Sequence, residues 1–258
     1  MKAVYIDSGA GTGRYNMDFD LRMAEVCGEG RFYLRFYTWN PYCISLGSTQ
    51  SENELNHELI KRDGIDFVKR PTGGRAILHA EELTYSVAMK LGPNDSIRAI
   101  YHNINAALKK GLINYSPVFN DISLEEKETH LPSFYKNPVS AACFAVPAKS
   151  ELTFDGKKLA GSAQRRLGDK LLQHGSLLTG TFHRKLYEYL TEEVVKTNVN
   201  SALNEKTVEI DTVLNEKTDI GKLKISLLRG FEEHFGCEFI QKEDDFILNV
   251  QSENQELI

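Results

Sequence analysis

The residue pattern predicts an α+β fold, with a mixed or antiparallel sheet core flanked by helices. Three observations carry that expectation. Strand-like runs crowd the first ninety residues and return after Ser150, helical stretches are interspersed between them, and turns of hairpin length such as Asp155-Gly156 join neighbouring strands.

The elements follow in chain order. Asn16 can cap a first helix whose Met17, Leu21 and Ala24 share a face and which ends near Gly28. Arg31 to Thr38, rich in aromatic residues, and Ile44 to Gly47 read as strands around an Asn40-Pro41 turn. Ser51 to Arg62 has helical periodicity and stops at Asp63-Gly64. Strands are predicted over Ile65 to Lys69, Ala76 to Leu78 and Leu83 to Met89, followed by a helix from about Ser96 to Lys110. An irregular stretch, roughly Asn114 to Ser140, carries Pro117, Pro132 and Pro138; such long loops are more often functional than decorative. Glu151 to Phe154 and Lys158 to Gln164 form a predicted hairpin, with Leu171 to Leu178 pairing beside it. Beyond that the chain reads as helical, and Ile220, Leu223, Leu227, Leu228, Phe231 and Phe235 make a stripe suited to packing on the main body. No repeat or linker divides the chain, so a single domain over 1–258 is expected, with a helical C-terminal segment from about 184 to 258.

Composition narrows the function. A hydrophobic share of 41% and a charged share of 26% are ordinary for a globular protein, and no apolar run approaches the ~20 residues of a membrane span. The start, Met1 to Gly9, lacks the long apolar region of a signal peptide, so a cytoplasmic location and no membrane partner are expected. A net charge of -5 argues against a general nucleic-acid binder, although Lys69, Arg70, Arg75, Lys157, Lys158, Arg165 and Arg166 can supply a local basic patch for an acidic carrier protein. Four scattered cysteines, Cys27, Cys43, Cys143 and Cys237, form no C-x-x-C pair and no zinc-spaced cluster, so free thiols and no metal are expected.

Five segments carry chemistry-bearing residues. Arg70-Pro71-Thr72-Gly73-Gly74-Arg75 joins two strands; paired glycines there let backbone N–H groups approach a ligand, and they equally suit a tight turn. It lacks the lysine and hydroxyl spacing of a Walker loop. His79 reads as a structural histidine, and the carboxylates of Glu81 and Glu82 close by, with Thr84, read either as a general base or as a solvated face or loop with its own hydrogen bonds. Lys158 opens a strand of small residues, Gly161-Ser162-Ala163, which suits either a backbone-lying substrate or a crowded sheet, and Gln173-His174-Gly175-Ser176 interrupts an apolar strand. Cys143 ends the irregular stretch, and a neighbouring ammonium would favour its thiolate; the other three cysteines fall in helix or strand segments and read as packing residues.

Five segments together resemble the biotin/lipoate protein ligase superfamily, and within it the octanoyltransferases of the LipM type. They are Arg35 to Pro41, Lys69 to His79, Glu82 to Val87, Gly156 to Arg165 and Leu172 to Ser176, in order over the first 180 residues. The resemblance implies a single catalytic domain whose acyl pocket is walled by the Arg70 to His79 segment. It implies catalytic roles for Cys143, at the place of the acyl-accepting cysteine, and for Lys158, matching the superfamily's lysine. Arg70, Thr72, Gly73, Gly74, Arg75, His79, Gly161, Ser162, Ala163 and His174 are the expected substrate-binding residues. The implied reaction takes octanoate from octanoyl-acyl carrier protein to a lysine of a lipoyl-type domain, such as glycine cleavage H protein, with no cofactor. The alternatives are an ATP- and Mg-dependent lipoate-protein ligase working through lipoyl-adenylate, and a non-catalytic carrier-binding module. Two segments depart from the type: Pro147-Ala148-Lys149-Ser150-Glu151 stands where such enzymes have Pro-Ser-x-Tyr-Glu, and Asn16-Met17-Asp18-Phe19-Asp20 where they have Asn-Met-Ala-Leu-Asp.

Overall fold

Alternation of side chains along the aromatic strand sets the architecture. Phe32, Leu34 and Phe36 point to one face and Tyr33, Arg35 and Tyr37 to the other, and all six are buried, so both faces of this strand must be covered. The computed structural model describes residues 2–125 and 150–254.

Within those residues the strands are β1 (Lys2–Gly11), β2 (Arg31–Trp39), β3 (Cys43–Leu46), β4 (Asp66–Lys69), β5 (Ile77–His79) and β6 (Glu82–Lys90). They continue with β7 (Ser123–Leu124), β8 (Leu152–Phe154), β9 (Lys157–Lys158), β10 (Ala160–Leu167), β11 (Lys170–Leu178) and β12 (Phe239–Lys242). The helices are α1 (Gly13–Val26), α2 (His57–Arg62), α3 (Ile97–Tyr115), α4 (Glu193–Lys206), α5 (Ile210–Leu214), α6 (Ile220–Phe235) and α7 (Asp244–Asn254).

Six strands form the main sheet in the order β10-β11-β6-β2-β1-β12. β1 runs parallel to both β2 and β12, whereas β2, β6, β11 and β10 pair antiparallel, so the sheet is mixed as expected. One face packs on α3 and α6, where Ile104, Leu108 and Leu112 meet Leu223, Leu227 and Phe231 over Phe32, Leu34 and Val87. The other face packs on α1 through Phe19, Met23 and Ala24, with Ile247 of α7. A second sheet, β4-β3-β5, has its own core of Ile44, Leu46, Ile77 and Leu78 against Leu186, Val199 and Leu203.

Three local readings change, and one strand had no counterpart in the sequence reading. Thr12, rather than Asn16, caps α1, accepting from the Tyr15 amide at 3.3 Å; Asn16 is buried inside the helix and donates to the carbonyls of Gly11 and Thr38. The opening residues are a ten-residue strand with an irregularity between Asp7 and Gly9. The tail is not wholly helical, because β12 inserts between α6 and α7 as the sheet's edge. The Asp155-Gly156 hairpin also splits at Leu159. Lys157–Lys158 pair with β8 in a small β7-β8-β9 sheet, and the chain from Ala160 onward crosses to the main sheet.

The α3 and α6 backbones meet through glycines. A Cβ on Gly230 would sit 2.3 Å from the Gly111 nitrogen, and one on Gly111 would sit 2.5 Å from the Leu227 Cα. Gly230→Val must therefore push the helices apart and is expected to cost at least about 2 kcal/mol in chemical denaturation.

Candidate functional site

A narrow cleft, partly open to solvent, lies between the main sheet and the β4-β3-β5 sheet. Met17 of α1, Tyr37 and Trp39 of β2, Ser45 of β3, Ile77 and His79 of β5 and Thr84 of β6 form part of its wall. Arg70, the Gly161 to Ala163 stretch of β10 and the His174 to Ser176 stretch of β11 complete it. Cross-strand register explains the convergence: Ala163 pairs with His174, which in turn pairs with Ser86, and Gly161 pairs with Ser176, which pairs with Thr84.

One buried carboxylate braces this wall from behind. Asp20 Oδ1 accepts from Arg35 Nη1 at 2.9 Å and from Ser86 Oγ at 2.7 Å, while Oδ2 accepts from the Tyr37 hydroxyl at 3.0 Å and faces His174 Nδ1 at 3.1 Å. The Arg35 guanidinium carbon lies 4.2 Å from the Phe19 ring centroid and 4.0 Å from that of Tyr37. Burial alone would raise the carboxyl's pKa, but the hydrogen bond from His174 and the Arg35 charge outweigh it and hold Asp20 below the usual range. Burial likewise pushes His174 below its ordinary value, against the opposing pull of Asp20, which keeps the ring neutral. A neutral ring giving its Nδ1 hydrogen to Asp20 leaves Nε2 to accept from the Thr72 hydroxyl at 2.6 Å.

Thr72 belongs to the double-glycine turn, so this chain of bonds runs from α1 to that turn. Arg70 fixes the turn from inside: its Nη2 donates to the carbonyls of Gly73 at 3.0 Å and Arg75 at 2.7 Å, and its Nη1 donates to the Ser45 carbonyl at 3.0 Å. The Ser48 amide donates to the Thr72 carbonyl, and Arg165 of β10 donates to the Pro71 carbonyl. Gly47 has no room for a side chain, since a Cβ there would meet the Gly74 carbonyl oxygen at 1.9 Å.

A second buried cluster lies on the Trp39 side. Glu82 is a buried residue rather than part of a solvated face; its Oε1 accepts from Trp39 Nε1, Thr84 Oγ1 and Ser176 Oγ and stands 2.8 Å from His79 Nδ1. His79 Nε2 is 2.7 Å from Ser45 Oγ, which Arg70 also reaches, and Trp39 stacks on the His79 ring at 4.1 Å. Burial opposes ionisation of Glu82, but the charge and hydrogen bond of His79 and the two hydroxyls hold its carboxyl below the usual range.

Arg70, His79, Gly161, Ser162, Ala163 and His174 are thus brought together in the cleft, and Thr72 stands directly behind His174. Gly73, Gly74 and Arg75 form the turn beside it without lining it. Lys158 is only 1% exposed and is not among the lining residues; its Nζ lies 2.7 Å from Glu151 Oε2. Cys143 lies outside the described residues. Burial pushes the Cys27 thiol up to about 11 and the Cys43 thiol well above its ordinary value, which suits their packing role. Among the described residues no group of His, Cys, Asp and Glu is placed to hold a metal ion, and no helix is long and apolar enough to cross a membrane.

The partners Asp20 and Glu151 were not read as site residues, and Glu82 was read as a general base or part of a solvated face rather than as a buried partner of His79. For Asp20 a signal exists: Asn16 and Asp20 are four residues apart on the same face as Phe19 and Met23, a polar pair on an apolar stripe. Arg35 inside an aromatic strand is its counterpart.

Residues 12–232 match the lipoyl protein ligase A/B catalytic domain. The chain belongs to that family. Within it, an "Octanoyltransferase LipM" of Anoxybacillus flavithermus is 35% identical over 96% of this chain and 92% of the relative, and one of Bacillus subtilis is 32% identical over 94% and 91%. The fold is shared with the crystal structure of lipoate-protein ligase A bound with ATP, at a TM-score of 0.74 and 19% identity over 97% of this chain and 95% of that one. It is shared also with a bi-partite lipoate protein ligase from Thermoplasma acidophilum, at a TM-score of 0.73 and 18% identity over 97% and 93%.

A neutral buried histidine in this family member has a measurable pH signature. Because His174 takes up a proton more readily unfolded than folded, its contribution to stability is full above the unfolded pKa of about 6.5 and falls as pH drops below it. His183 is shifted in the same direction. Urea midpoints are therefore expected to fall between pH 7 and pH 5, and to fall less steeply in His174→Gln, where only the other histidines remain.

Proposed function

We propose that this chain transfers an octanoyl group from octanoyl-acyl carrier protein to a lysine of a lipoyl-type domain, such as glycine cleavage H protein, through a thioester on Cys143. The observation that supports it most is the length and strength of the match to relatives named octanoyltransferase, over nine-tenths or more of both chains. The cleft agrees in character: Met17, Tyr37, Trp39 and Ile77 offer apolar surface to an acyl chain, while the polar groups behind them are turned toward one another.

In the first step the Cys143 thiolate attacks the donor's thioester carbonyl; a carbon–sulfur bond to the enzyme forms, the one to the carrier breaks, and the carrier thiolate leaves and takes up a proton. In the second, the acceptor's neutral lysine amine attacks the same carbonyl. The carbon–nitrogen bond forms, the enzyme's carbon–sulfur bond breaks, and the amine's proton passes to the departing Cys143 sulfur. Lys158 supplies positive charge that favours the thiolate and the oxyanion of each tetrahedral intermediate, with backbone N–H groups of the Gly73-Gly74 turn or of the Gly161 strand as further donors. Neither step needs ATP, magnesium or another cofactor. Burial raises the thiol pKa of Cys27, Cys43 and Cys237, which makes these three poor nucleophiles at neutral pH.

Intact-mass analysis after mixing with octanoyl-acyl carrier protein tests the reading. A single octanoyl adduct is expected, absent in Cys143→Ser and discharged by an apo lipoyl domain. No adduct, together with octanoylation that depends on ATP and free octanoate, would replace it with the ligase reaction.

A further inference from the structure

The Asp155-Gly156 hairpin places opposite charges where they can meet. Thr153 pairs with Lys158 across it, so Glu151, two residues before Thr153 on the same face, is the diagonal neighbour of Lys158. Diagonal neighbours lie about 7–8 Å apart at the backbone, within reach of a lysine and a glutamate. Both side chains are buried, at 1% and 2% exposure, and Glu151 Oε2 stands 2.7 Å from Lys158 Nζ. The same carboxylate has a second task. Its Oε1 accepts from the Ser162 amide at 3.1 Å, and Ser162 is one of the residues lining the cleft.

Ser162 is itself held from several sides. Its hydroxyl donates to Asn105 Oδ1 at 3.2 Å and lies 2.7 Å from the Tyr85 hydroxyl, which accepts from Gln173 Nε2 at 2.9 Å; the Tyr101 hydroxyl donates to its carbonyl at 3.2 Å. These groups belong to α3, β6 and β11, so Ser162 is a fixed point in the fold. Between Lys158 and Ser162 the chain leaves the small sheet and enters the main one at Leu159. Backbone bonds fix the crossing itself, the Leu159 amide donating to the Leu152 carbonyl and the Leu178 amide to the Leu159 carbonyl, while the Glu151 carboxylate ties the lysine's side-chain end to the cleft strand.

We infer that Glu151 is a positioning residue for the transfer reaction, one carboxylate gripping the Lys158 ammonium and the Ser162 amide together and so fixing the lysine's place relative to the cleft wall. This rests on the transferase reading above for its catalytic consequence, but not for its geometry. A carboxylate beside a buried ammonium also offsets the cost of burying its charge, and that charge is what stabilises a thiolate or an oxyanion. Gln at 151 retains an oxygen for the Ser162 amide and loses the charge; Asp retains the charge and shortens the reach.

The experiment compares the wild-type chain with Glu151→Gln and Glu151→Asp in two measurements, after circular dichroism has confirmed each fold. The first is octanoyl transfer from octanoyl-acyl carrier protein to a lipoyl domain across pH. Glu151→Gln is expected to lower kcat at least about tenfold, to leave KM for the carrier within about twofold, and to change the shape of the pH–rate profile; Glu151→Asp is expected to recover part of kcat. The second needs no activity: brief treatment with an amine-acylating reagent, followed by peptide mass analysis, should leave Lys158 unlabelled in the wild type and labelled in Glu151→Gln. Wild-type kcat in Glu151→Gln, or a slow Glu151→Gln whose Lys158 stays as protected as before, overturns the inference. A wild-type chain that transfers no octanoate removes the transferase reading, and the labelling comparison then decides alone whether Glu151 holds the lysine.

Discussion

Asp20 is the constraint on which the cleft depends. Its carboxylate lies buried between α1 and the main sheet and takes bonds from Arg35 of β2, Tyr37 of β2, Ser86 of β6 and His174 of β11, so one residue registers a helix against three strands. A buried charge is tolerable only when it is paired and its lone pairs are filled, and here both oxygens have two partners each. Removing any one member leaves others buried without their complement, which is why such a network specifies geometry more strongly than it adds stability.

That geometry reaches the site through His174. Held neutral with its Nδ1 side toward Asp20, the ring can only accept at Nε2, and Thr72 of the double-glycine turn is the donor. Arg70 then ties the far side of the turn to β3, and the Glu82–His79–Ser45 cluster ties β3 and β5 back to β6. The two clusters turn their polar atoms inward, which leaves apolar surface from Met17, Tyr37, Trp39 and Ile77 along the cleft. A catalytic domain of the lipoyl protein ligase family can thereby keep charged groups close to a greasy substrate without exposing them to it.

Much of this was legible in the residues, and the failures share a cause. Strands with local signatures were found: the aromatic alternation of β2, the apolar run of β6 and β11, and the glycine turn between β4 and β5. β1 and β12 were missed because each is defined by a parallel partner far away in sequence, and Asp7-Ser8-Gly9 breaks the pattern of the first. Arg70, His79, Gly161 and His174 sit in contiguous motifs that carry the family resemblance; the resemblance implied one pocket for them, and they line one cleft together. Asp20, Glu82 and Glu151 act through partners brought close by folding, and composition or spacing shows such pairings only faintly. Asn16 illustrates the point: its type suits a helix cap, yet burial beside Arg35 uses the same side chain as an internal brace.

The most direct test of this account is nitrogen-15 NMR of the His174 ring in the intact protein. A neutral imidazole with its hydrogen on Nδ1 is predicted at pH 7, with protonation setting in only below the ordinary histidine pKa of about 6.5. A ring that protonates near that value, or that carries its hydrogen on Nε2, would contradict the Asp20–His174–Thr72 linkage.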